Sequence, residues 1–123
     1  MCDRIKNLDP NIRFAGVIND RGKLVAGGMR EGVTSLTDYK TDEILYLELA
    51  LRVKMRKDFD SHFGKAKYTT TKREKVNVMS FPMSTDILFV FTEPDIDICN
   101  LPEQIHNIVQ HTKSNFITLY KIT

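Results

Sequence analysis

Apolar residues recur along this chain with two different periods. Over residues 41–62 they follow a helix. At about 100° per residue, Ile44, Leu47, Leu51, Met55 and Phe59 form one stripe. Leu45, Tyr46, Leu49, Ala50 and Val53 form a second on roughly the opposite side, and Glu48, Arg52, Lys54 and Arg56 separate the two. A surface helix ordinarily buries one stripe. Leaving a second in water forgoes about 1.5–3 kcal/mol for each large side chain. One stripe is therefore expected to cover a sheet and the other to meet a partner. Leu45, Tyr46, Leu49 and Val53 are the expected partner face, met by their mates across a two-fold axis. Burial of both stripes within one domain is the alternative.

Elsewhere the period is that of strands. Residues 12–18 are mostly apolar and read as a strand covered on both faces. Asn19, Asp20 and Gly22 form a turn, and residues 23–26 return as a short strand ended by Gly27 and Gly28. Residues 29–39 read as a loop, and Thr41 or Asp42 as the cap of the long helix. Gly64 marks its end. Strands are predicted over residues 65–71, 76–81 and 87–91, the last without a polar member. Short helices are predicted at residues 3–8 and after Asn100, where Pro102 and Glu103 complete a capping box. Residues 116–122 alternate and read as an extended edge strand or tail.

This order, helix, two strands, helix, three strands, helix, predicts an α+β fold. Its five-stranded antiparallel sheet carries the central helix on one face and two helices on the other. The domain spans residues 1–113, with 114–123 as a tail or added strand. The run Ile12-Arg-Phe-Ala-Gly-Val-Ile-Asn-Asp-Arg-Gly-Lys-Leu-Val-Ala-Gly-Gly28 resembles the opening hairpin of roadblock domains, part of the roadblock/longin-type, profilin-like superfold. Val25-Ala-Gly-Gly-Met-Arg-Glu-Gly32 and Leu49-Ala-Leu-Arg52 are similar to a family of small thaumarchaeal proteins without a known activity. The resemblance implies a non-catalytic homodimeric interaction scaffold, linked by fold analogy to a small GTPase. The alternative it implies is a small-ligand sensor of profilin/PAS-like type. Tyr68, Met79, Phe89 and Phe91 would then line a pocket between sheet and central helix.

Composition narrows the chemistry. The 123 residues are 41% apolar and 28% charged, which suits one soluble domain. No apolar run approaches the roughly 18 residues of a membrane span, and the first residues lack a secretory core. Cys2 and Cys99 read as free thiols in a reducing cytoplasm. The histidines, His62, His106 and His111, lack the spacing that would bring metal ligands together. No phosphate-binding glycine loop or nucleophile elbow occurs. The acidic pairs Asp58/Asp60 and Asp95/Asp97 lie in polar sequence, away from any apolar pocket that would raise a pKa for acid catalysis. No enzyme, metal or cofactor is expected. Gly27, Gly28, Arg30 and Glu31 have the composition of a partner or ligand loop, with exposed backbone N–H groups and a guanidinium for an anion.

Charge is uneven. Residues 52–75 hold nine Lys or Arg against Asp58, Asp60 and Glu74, a balance of +6, so the rest carries −4 for a net +2. This segment could face an acidic partner. Nucleic acid is a poor fit, because aromatic residues are not interleaved with the charges.

Overall fold

The computed structural model describes residues 1–122, with side chains described as far as Thr112. The chain forms helix α1 (Cys2–Lys6), strands β1 (Ile12–Ile18) and β2 (Leu24–Met29), and helix α2 (Tyr39–Arg56). A 3-10 turn (Lys57–Phe59), a short helix α3 (Asp60–Phe63), strands β3 (Thr69–Lys72), β4 (Asn77–Pro82) and β5 (Ile87–Thr92), and helix α4 (Leu101–Ile122) follow.

The five strands make one antiparallel sheet in the order β2-β1-β5-β4-β3. Strand alternation divides the apolar run 87–91 of β5 between two cores. Leu88 and Val90 join Ala15, Val17, Met79 and Phe81 under α1 and α4, where Ile5, Ile105 and Val109 cover them. Ile87 and Phe89 join Phe14 and Ile18 under α2, where Ala50 and Val53 cover them. The predicted architecture, one helix on one face and two on the other, is therefore the observed one.

Several boundaries move for identifiable reasons. Asp38, rather than Thr41 or Asp42, caps α2: its Oδ1 accepts the Thr41 N–H at 2.7 Å. Asp42 instead accepts the Thr37 hydroxyl. β2 does not stop at the paired glycines but runs through them, Gly27 opposite Gly16 and Gly28 opposite Ala15, with a bulge near Val17 and Ile18. β3 begins four residues later than predicted, at Thr69. Glu103 leaves the expected capping box and accepts the Tyr68 hydroxyl at 2.8 Å. Over residues 116–122, read as extended, α4 continues to Ile122; side chains there lie outside the described residues. The helical spacing Ile105, Ile108, Val109, Thr112, Phe116, Leu119 accounts for the continuation, since a seven-residue window fits both periods.

Candidate interaction face

α2 meets the sheet with the stripe expected to face a partner. Tyr46, Leu49 and Val53, expected at a partner interface, pack with Ala50 on Phe14, Ile87 and Phe89. Leu45 is half-buried beside them. The other stripe faces water: Ile44 is 69% exposed, Leu47 48%, Leu51 51%, Met55 67% and Phe59 58%. Side-chain size decides the choice. Small Ala50 and Val53 let the helix sit close on the aromatic floor, where the Phe14 and Phe89 rings stack at 4.8 Å. The β1–β2 turn reinforces it. Gly22 has φ 77°, and a Cβ there would lie 2.8 Å from the Leu47 Cα, so the turn rests directly on the helix backbone.

The glycine-rich segment is built for packing. Gly27 has φ 78°, and an added Cβ would fall 2.2 Å from the Ala15 carbonyl oxygen. Arg30 points inward: its Nε donates to the Ile12 carbonyl at 2.7 Å, and its Nη2 to the carbonyls of Asp9, at 2.8 Å, and Lys6. It braces the start of β1 against the end of α1. That leaves Glu31, exposed at the following turn, as the segment's outward-facing charge. Arg13 plays a similar part beside it, donating to Glu93 Oε1 and to the Thr34 carbonyl, each at 2.6 Å.

A cavity of about 320 Å³ lies between the sheet and the first turns of α2. Its walls include Phe14, Met29, Tyr46, Val78 and Phe91, with Leu36 at the mouth. Burial, and then the nearby Asp42 carboxylate, push the Tyr46 hydroxyl above its usual pKa. Of the four residues expected in such a pocket, Phe91 lines it. Phe89 is fully buried below it, while Tyr68 and Met79 belong to the opposite core. The strand register, which sequence periodicity leaves free by one residue, separates them.

Titratable groups stay dispersed. Cys2 is a buried free thiol, raised in pKa chiefly by burial, and Cys99 is exposed. His62 contacts the Ser61 hydroxyl, and His106 lies against the Tyr68 ring. Among the described residues, no group of three or more His, Cys, Asp or Glu side chains could hold a metal ion, and no helix is long and apolar enough to cross a membrane.

The fold is shared with solved structures at low sequence identity. A roadblock/LC7 domain from Streptomyces avermitilis superposes with a TM-score of 0.69 at 10% identity, over 94% of each chain. MglB of Myxococcus xanthus gives 0.70 at 14% identity, over 95% of this chain and 92% of that one. Profilin II of Acanthamoeba castellanii gives 0.51 at 17% identity, over 85% and 89%. No curated protein sequence matches the chain. A family model does match, across residues 2–119, and the chain therefore belongs to the family of unknown function DUF6659.

Proposed function

We propose that this chain is a non-catalytic homodimeric interaction scaffold, acting in an archaeal cytoplasm on or beside a small GTPase. The observation that carries the dimer is the outer stripe of α2, with Ile44, Leu47, Leu51 and Met55 all about half exposed or more. Monomeric proteins rarely leave such a contiguous apolar stripe in water, and patches of roughly 300–600 Å² mark interaction sites. A helix face meeting its own copy across a two-fold axis buries it twice over. The Glu48–Arg52 ion pair, at 2.7 Å, flanks the stripe and belongs to the polar rim of such a contact. The GTPase connection rests on the likeness to roadblock domains.

The Leu51→Glu, Met55→Glu double variant tests the dimer in sedimentation equilibrium. Both side chains face solvent, so the monomer is expected to keep its fold while the mass halves. A wild-type chain already monomeric at micromolar concentration overturns the reading. Capture of proteins from the native organism on the wild-type dimer, with the double variant as control, tests for a GTPase among the partners.

The sensor reading retains one supporting observation, the 320 Å³ cavity, which falls in the size range of small-molecule sites. Filling it by Val78→Trp should abolish any ligand-induced rise in melting temperature within a set of small aromatic compounds. If no compound raises the wild-type melting temperature, the cavity is a packing space and the sensor reading falls.

A further inference from the structure

A second concavity, of about 570 Å³, opens on the far side of the molecule from the α2 N-terminus. The end of α2, the 3-10 turn, the linker before β3, the β4–β5 turn and one face of α4 form its walls. Arg56, Lys57, Lys65 and Lys67 line it, against a single carboxylate, Asp60. The ion pairs among the described residues are Lys6–Asp3, Arg13–Glu93 and Arg52–Glu48, so none of these four cations has a carboxylate in contact. Pro82 and Met83, both half-buried, supply an apolar patch in the same concavity.

Four like charges around one hollow repel each other unless a counter-charge enters. A cleft of one sign focuses its field and concentrates anions within it. On a convex face the same charges would be dispersed into solvent. The volume is that of a small-molecule site, within the roughly 300–1,000 Å³ typical of them. Lysine ammonium groups suit phosphate as point charges, and an adjacent apolar patch suits a flat or aliphatic group attached to it. We propose that this groove binds a small molecule carrying a di- or triphosphate chain. Its phosphates would be held among Arg56, Lys57, Lys65 and Lys67, and its apolar portion laid against Pro82 and Met83. The residues involved lie off the outer stripe of α2, so the site is independent of the proposed dimer face.

Isothermal titration calorimetry on the full chain tests this with ATP, inorganic triphosphate and adenosine as probes. ATP should bind saturably at one site per chain and triphosphate more weakly, with no heat from adenosine. The Lys65→Glu, Lys67→Glu double variant should lose ATP affinity at least tenfold. These side chains are exposed in a linker, so its melting curve should match the wild type; Lys57→Glu, from a different wall, should lose affinity in the same direction. Lys23→Glu, an exposed lysine in the β1–β2 hairpin, should bind as the wild type does. No binding at millimolar ATP overturns the proposal, as does an equal loss in Lys23→Glu. Displacement of ATP by poly-glutamate or a single-stranded oligonucleotide at lower concentration than by triphosphate also overturns it, since the groove would then serve a macromolecule.

Discussion

Three main-chain carbonyls, those of Lys6, Asp9 and Ile12, converge on the guanidinium of Arg30. No other side chain type presents a planar fork of donors with a permanent charge. Arg30→Ala should therefore cost roughly 1–3 kcal/mol in chemical denaturation, because three part-buried carbonyls lose a charged donor. Gly27→Ala should be at least as harmful, since the new methyl meets the Ala15 carbonyl at a positive φ. Asp38 gives a pH signature. Hydrogen bonds from the Thr41 side chain and main-chain N–H hold its carboxyl below the usual range. Its folded pKa is thus lower than its unfolded one. The cap stabilises fully above the ordinary carboxylate pKa of about 3.9 and is lost as pH falls through the lowered folded value. Thermal melts should show Asp38→Ala below wild type at neutral pH, with the gap closing in strong acid. Asp38→Asn should keep the cap and show no such closure.

Elements were legible wherever a single period dominated. β1 announced itself by an apolar run interrupted at Arg13, β5 by an unbroken one over residues 87–91, and the hairpin by Asn19, Asp20 and Gly22. The double-sided pattern of α2 was equally plain, but periodicity carries no information on which stripe meets the sheet. That choice depends on the fit of Ala50 and Val53 to Phe14 and Phe89, and on a turn resting at Leu47. The same limit hid the inward course of Arg30, since its acceptors come from three separate places in the chain. For β3, Lys65 and Lys67 fall before the strand, leaving Thr69–Lys72 as an open edge with one terminal lysine. So short an edge would add little to the proposed dimer beside a helix face of four large apolar residues. Outward amides of Thr69–Lys72 are expected to exchange with deuterium far faster than those of Leu88–Val90. Equal protection would mean that the edges join and that the helices are the lesser contact.

At the scale of the molecule, charge and exposed apolar surface meet at one end of α2. The +6 balance of residues 52–75 collects around the end of α2 and the β3 edge, and the bare stripe, beginning at Ile44, runs along that helix into the basic segment at Met55 and Phe59. The proposed association through the stripe would bring two basic ends into one particle, so dimer strength should rise with salt as their repulsion is screened over about 10 Å at 0.1 M. Sedimentation across a salt series checks this, and a dimer that weakens with salt would place attractive ion pairs at its centre. The two cysteines make the geometry measurable without further mutation. With Cys2 sealed in the core and Cys99 at the surface, a nitroxide reagent should modify one position per chain. Labelling should quicken as pH rises into the alkaline range, because a hydrogen bond to Asp97 raises the Cys99 thiol pKa. A two-fold dimer then carries one pair of spins at one distance, and pulsed dipolar spectroscopy would yield a single narrow distribution that vanishes on dilution with unlabelled chain.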